Sequence, residues 1–443
     1  MEVNVNEQRL EAKDLNQQGA LLLKTGNIPA AQKKFDRAIE LDPMLVDSYK
    51  NYGDLYMASE NFKEAKNQYK KALLIEKSGE LYFQYGSACF MNDEVHEGLE
   101  NYNLAISAGY DGDEMLFFMG MAYEHLNDDQ MALRYFHKAC IKNPSRPDYL
   151  VKKISALVRL DMIDSAEESV DELLKNSPEL FDGYHLKTQL LIYKGKLEEA
   201  VEFSKAASDR FPEDPELMHD YVKCVSLNGQ FDLAYQLLNT AKQMKYYEEA
   251  KRGFILLEAQ IAAEKNDVNR AITCCEECIS LESTDFFEGE ARFMLMNMYL
   301  AKKEYDLALD VATALITNEG DDSYYYAALY YRPFCLKQMG KLDEAKPLYT
   351  EANSIFRLAT LENPAAIDVY LYRVMCLKDI EEYDKALDLL DFISGISDEI
   401  AEVHTLRADI YRSLGKAAQV KSELEKAYKL KPELEDLYEG VGG

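Results

Sequence analysis

The sequence contains no tryptophan, and only 21 glycines and 11 prolines serve its 443 residues. So few turn-formers exclude a turn-rich all-β protein. No stretch reaches the roughly 18 consecutive apolar residues that a membrane-spanning helix needs. Met1 to Gln18 lacks the basic segment and apolar core of a secretory signal, so a cytoplasmic protein is expected if Met1 is the native start. Positive charge is scarce: 50 Lys and Arg stand against 79 Asp and Glu, a formal charge of −29. The basic residues read as dispersed, so neither nucleic acid nor an anionic membrane is an expected partner. Disorder is excluded as well, because 47% of the residues are apolar and 11% aromatic. By length alone the chain would hold two to four globular domains.

What the chain does have is an internal repeat. Gly19, Gly26, Ala31, Phe35, Ala38 and Pro43 recur 34 residues later as Gly53, Ala65, Tyr69 and Ala72. They recur again as Gly86, Gly98, Tyr102 and Ala105, and then as Gly120, Ala132, Phe136, Ala139 and Pro144. The small residue four before the aromatic can be followed through Ala31, Ala65, Gly98, Ala132, Ala166, Ala200, Ala234, Ala271, Ala308, Ala345, Ala386 and Val420, which makes twelve units. Within each unit apolar residues recur three and four apart, as in Leu15, Leu22, Leu23 and then Ala31, Phe35, Ala38, Ile39, so each unit predicts two helices. Gly-Asn or Gly-Lys turns such as Gly26-Asn27 and Gly340-Lys341 divide the pair, and prolines such as Pro43 and Pro432 end it.

This pattern resembles the tetratricopeptide repeat (TPR), most closely in Tyr49, Tyr52, Gly53, Tyr56, Ala65, Tyr69 and Ala72, and in Leu116, Met119, Gly120, Tyr123, Ala132, Phe136, Ala139 and Pro144. The resemblance covers about Ala12 to Pro432 and is to members of a bacterial type. It implies an all-α fold, a right-handed α-α superhelix of antiparallel helix pairs. The signature glycine is lost from the fifth unit onward, becoming Ile154, Thr188, Val222, Ala259, Met296, Pro333, Val374 and Ala408. The expected division is an N-terminal extension at 1–11, seven regular repeats at 12–250, five divergent repeats at 251–432 and a capping segment at 433–443. In the divergent part the step lengthens to 37 and then 41 residues, which should lengthen helices or turns. Pro333 falls inside a first helix and should kink it, and residues 321–366 form the most irregular region.

No chemistry emerges from the reactive residues. Cys274, Cys275 and Cys278 could hold a metal, but Cys275 takes the aromatic position of its repeat and Cys278 a small-residue position, so core packing is the expected role. His185 and His219 stand 34 apart at equivalent positions and could face each other beside Asp182 and Gln189. No nucleophile aligns with them. There is no phosphate-binding glycine loop, and twelve repeats consume roughly 408 residues. Neither an enzyme, a metal nor a cofactor is expected.

The resemblance implies that the first helix of each pair lines a concave groove. Its fifth and neighbouring positions bring Phe83, Phe90, Phe117, Met121, Val151, Val158, His185, Ile192, His219, Leu256, Phe293, Leu300, Tyr330, Phe334 and Met375 to that wall. A long apolar stripe of this kind marks a protein-binding surface; the other reading is that neighbouring helices bury it. Acidic residues fill the second position in nine units (Asp47, Glu80, Glu114, Asp148, Asp182, Glu216, Glu290, Asp368, Glu402), either as a rail for a basic partner or as helix-dipole partners. Asn16 is followed by Ala20, and Lys50 by Asp54, so the Lys–Asn clamp for the C-terminal tails of chaperones does not form. The expectation is a scaffold or adaptor holding a basic or amphipathic peptide or helix of another protein. Self-assembly into dimers or filaments is the alternative.

Overall fold

In the computed structural model the described residues are 2–281, 286–317, 324–397, 399–432 and 434–435. They form 24 α-helices and no strand, the twelve helix pairs that the repeat predicts. The chain divides into two compact units, 1–207 and 208–443.

The first unit contains α1 (Glu2–Lys24), α2 (Ile28–Leu41), α3 (Val46–Ala58), α4 (Phe62–Ile75), α5 (Gly79–Met91) and α6 (Val95–Ser107). It continues with α7 (Asp113–His125), α8 (Asp129–Lys142), α9 (Pro147–Arg159), α10 (Ile163–Asn176) and α11 (Phe181–Tyr193), and the division falls within α12 (Leu197–Arg210). In the second unit lie α13 (Pro215–Leu227), α14 (Phe231–Ala241), α15 (Tyr247–Glu264), α16 (Val268–Ser280), α17 (Phe286–Ala301) and α18 (Tyr305–Thr317). They are followed by α19 (Tyr325–Gln338), α20 (Leu342–Glu362), α21 (Ile367–Asp379), α22 (Tyr383–Ile396), α23 (Ala401–Ser413) and α24 (Ala417–Leu430). Within each unit successive helices pack together, as α5 does with α6 and α15 with α16. First helices also meet the next first helix, as α1 does α3 and α19 does α21. Both units are stacks of helical hairpins.

The turn inside each hairpin is set by one residue. Every first helix ends on a left-handed residue: Gly26, Glu60, Asp93, Asn127, Asp161, Gly195, Gly229, Asn266, Lys303, Gly340, Glu381 and Gly415, with φ between 55° and 80°. Gly26 N–H then donates to Leu23 O at 3.0 Å and Asn27 N–H to Leu22 O at 2.9 Å, the paired bonds that close a helix C-terminus. The next residue starts the second helix. Asn27, Asn61, Asp128 and Asp267 accept a backbone N–H there through their side chains.

Packing within the hairpin depends on a volume exchange. A Cβ on Gly120 would lie 2.5 Å from the Phe136 ring, and one on Gly19 would lie 2.5 Å from Phe35. In the first four hairpins glycine makes room for the aromatic sixteen residues later. Where the glycine becomes Ile154, Val222, Ala259 or Met296, the partner shrinks to Val170, Leu238, Cys275 or Ala312, and all eight are buried. At Ile154 and Val170, and at Met296 and Ala312, the contact is kept with the larger side chain on the first helix.

Three of the four lengthened steps are taken up by helices: α15 has 18 residues, α17 has 16 and α20 has 21, against 13 or 14 in most others, while the step from Ala308 to Ala345 falls at the connection between α18 and α19. The N-terminal residues expected as an extension are already helical, since α1 begins at Glu2. Helix α19 runs through the buried Pro333 from Tyr325 to Gln338. Residues 318–323 of the irregular region, and the expected capping segment apart from Leu434 and Glu435, lie outside the described residues.

Candidate protein-binding groove

The predicted lane of apolar residues separates into two groups. Phe83, Leu256 and Tyr330 are buried and serve the core, which corrects their assignment to a groove wall. Phe83 stacks on Tyr110 at 5.3 Å and tilts against Phe118 of α7 at 6.1 Å, so the following hairpin covers it. Leu256 joins the core with Ala259, Cys275 and Leu295. Tyr330 donates its hydroxyl to Asp379 Oδ2 at 2.9 Å, as does Tyr349, while Lys337 Nζ lies 3.1 Å from Asp379 Oδ1. Burial, with the Asp379 carboxylate next, raises both phenols well above their ordinary pKa. One side chain at the end of α21 thus pins α19 and α20.

The other members are half-buried. In the first unit Phe90, Phe117, Met121, Val151, Val158, His185 and Ile192 keep part of their surface in solvent. Phe117 stacks on Tyr149 of α9 at 4.6 Å, and Phe90 meets Phe118 edge-on at 6.1 Å. Met121 packs beside Phe136 and Ala156, while Val151 and Val158 pack on the Ile154 and Leu157 core. In the second unit His219, Phe293, Leu300, Phe334 and Met375 are half-buried. His219 sits edge-on to Phe254 at 5.6 Å, and Phe293 stacks on Tyr324 at 4.7 Å. His185 and His219 belong to different units.

Ahead of Phe83 the lane is polar. Asn51 donates to Asn16 at 3.0 Å, Lys50 pairs with Glu80, and Tyr69 donates to Asp54 at 2.6 Å. Burial raises the Asp54 pKa, although the Tyr69 bond opposes it. Eight of the nine second-position acids are the second residue of their helix, where the N-terminal dipole favours a carboxylate; Glu290 is the fifth of α17. Several are also paired: Asp148 with Arg146 at 2.8 Å, Glu402 with Lys431, and Glu290 accepts from Gln260 at 2.8 Å. Arg146 and Lys431 hold the pKa values of Asp148 and Glu402 below the usual range.

The cysteines lie where packing wants them. Cys275 and Cys278 are fully buried on α16, and burial pushes the thiols of Cys274 and Cys275 up to about 11 and about 12. Thiols held protonated in this way are poor nucleophiles. Among the described residues the one grouping with metal-ligand geometry is Cys89, Glu94 and Glu97. Lys66 bridges its two carboxylates, paired with Glu94 and 3.3 Å from Glu97, and Tyr85 donates to Glu97 at 2.5 Å. The cation between these carboxylates is an ammonium of the chain itself.

Sequence reasoning missed a basic segment. Residues 129–159 carry seven Lys and Arg against two Asp, so the basic residues are not evenly dispersed. A charge count in windows of about 30 residues would have found it.

Models of the tetratricopeptide repeat match residues 16–80, 254–285 and 401–434. Subunit 3 of the anaphase-promoting complex from Schizosaccharomyces pombe is 23% identical over 150 residues, 34% of this chain and 23% of that relative's length. The chain therefore spans less than a quarter of the curated relative it matches. Yeast Tom70 superimposes with a TM-score of 0.50 at 13% identity, covering 96% of this chain and 99% of Tom70. A tetratricopeptide repeat protein from Parabacteroides merdae gives 0.47 at 16% identity over 57% of this chain and 98% of its own. At such identities the structures speak to the fold alone. The bacterial type expected from the sequence is not shown. No described helix is long and apolar enough to cross a membrane. Tetratricopeptide repeats are thus matched directly at residues 16–80, 254–285 and 401–434, and the hairpins between them share the same helix–turn–helix form.

Proposed function

We propose that the protein is a non-enzymatic scaffold that holds a peptide or helix of another protein along the first helices of its repeats. Proteins of this repeat type generally serve as protein-interaction scaffolds. The observation that carries the reading is the half-buried apolar lane of the first unit, from Phe90 through Phe117, Met121, Val151 and Val158. These side chains pack at their base and present the remainder to solvent, which suits an apolar or amphipathic ligand. The acids beside them favour a ligand that also carries Lys or Arg.

Met121→Lys combined with Val158→Lys tests this. Loss of partner recovery in pull-downs, with unchanged helicity and melting temperature, is the expected outcome; full recovery contradicts it. Phe83 is unsuitable for such a test because a charge at a buried site would unfold its hairpin. A second reading, self-assembly, draws on Leu358 and Leu361, 63% and 70% exposed on the elongated α20. Light scattering across concentration decides it, since a strict monomer removes this reading.

A further inference from the structure

Residues 129–159 invert the charge of the molecule: seven basic residues less two acids give +5 within a chain of −29. Four of the seven are matched by carboxylates. Lys142 pairs with Asp111, Arg146 with Asp148, Lys152 with Glu124, and Arg159 with Glu124 and Asp129. Arg134, Lys138 and Lys153 have no carboxylate partner among the described residues, and Lys138 lies over the Tyr135 ring at 4.8 Å.

The helix period gathers part of this charge on one side of α8. Arg134, His137, Lys138, Ile141 and Lys142 are three and four apart and all exposed, while Ala132, Phe136 and Ala139 on the opposite face are fully buried. The exposed stripe is a ridge between two cavities of different chemistry. One, of about 390 Å³, is bounded by Arg134, His137 and Lys153 over Leu133 and Leu157, with Glu168 as its one acid. The other, of about 580 Å³, is lined by Ile106, Met115, Leu116 and Ile141, with Lys138, Lys142 and the Asp111 that pairs with Lys142 around them.

We infer that the solvent face of α8 is a second docking surface, which takes a short acidic segment of a partner protein. Carboxylates of that segment reach Arg134 and Lys153, and an aliphatic side chain enters the cavity beside Ile141. The size of the ligand follows from screening. Exposed charges act over about 8–10 Å at physiological salt. A segment confined to the ridge therefore meets local positive charge, whereas a long polyanion or an anionic membrane extends onto the acidic remainder of the chain.

The probe is a fluorescein-labelled peptide, Ac-Leu-Asp-Asp-Leu-Glu-Asp-Leu-amide, titrated with the full chain by fluorescence anisotropy. The acidic peptide should bind at least about tenfold more tightly than its Asn/Gln analogue, and added salt should weaken it. Arg134→Glu with Lys153→Glu should weaken binding about tenfold or more, and Ile141→Asp should do so separately. Arg134→Lys should retain it. All three positions are exposed or half-buried, so circular dichroism and melting should not change. Equal affinity for the neutral analogue, or no effect of charge reversal, would overturn the inference. So would charge-dependent binding of phosphatidylserine vesicles or of an oligonucleotide in place of the peptide.

Discussion

At the scale of single residues the repeats are held by pairs that fit only together. Gly120 and Phe136 illustrate this: alanine at 120 must displace the ring, at a cost of about 1–3 kcal/mol. Leucine at 136 leaves a cavity instead. Gly120→Ala with Phe136→Leu should be less damaging than the sum of the two, by about 1 kcal/mol or more, in a double-mutant cycle read by urea denaturation. The hairpin turns allow a gain. Glu381 holds φ at 65°, a conformation that disfavours side chains, so Glu381→Gly should stabilise by about 1 kcal/mol and raise the melting temperature. Charge pairs add a pH dependence. Lys194 and Lys187 lie 2.6 and 3.0 Å from Glu167 and hold its pKa at about 2, below its ordinary value of 4.5. A depressed carboxylate contributes its stability above the unfolded value and loses it as pH falls toward the folded one. Glu167→Gln should therefore lower the urea midpoint near pH 7 by the equivalent of about 1 kcal/mol, with partial exposure allowed for. The difference should close between pH 4.5 and about 2.

At the scale of elements the hairpins were legible because their signals are local. Ala132, Phe136 and Ala139 mark the buried stripe of α8 from spacing alone, and Asp128 marks its start. Two features were not legible. Most of the added residues after Ala241 could have entered loops, but they extend α15, α17 and α20, a choice made by tertiary packing and not by propensity. The second feature is the acceptor role of Asp379, which joins residues up to 49 positions apart and has no sequence signature. Asp379→Ala leaves the hydroxyls of Tyr330 and Tyr349 buried without an acceptor. It should destabilise the second unit by about 2–3 kcal/mol in denaturation, while Asp379→Asn, which keeps a carbonyl there, should cost less.

At the scale of the molecule the 34-residue period locates positions along the chain but does not say how far each hairpin covers the one before it. Phe83 and Phe117 hold the same repeat position, yet Phe83 is buried beneath Tyr110 and Phe118, while Phe117 keeps a free edge beside Tyr149. The apolar lane was thus legible as a set of positions and illegible as a surface. Charge behaves in the same way: −29 describes the whole chain and conceals the +5 of residues 129–159. Photo-crosslinking in the native cell tests the central claim most directly. Benzoylphenylalanine placed at Met121 and at Val158 should crosslink the same partner protein, and at Leu74, 82% exposed on the solvent face of α4, it should not. Crosslinks from Leu74 alone, or none from Met121 and Val158, would contradict a groove that holds its partner.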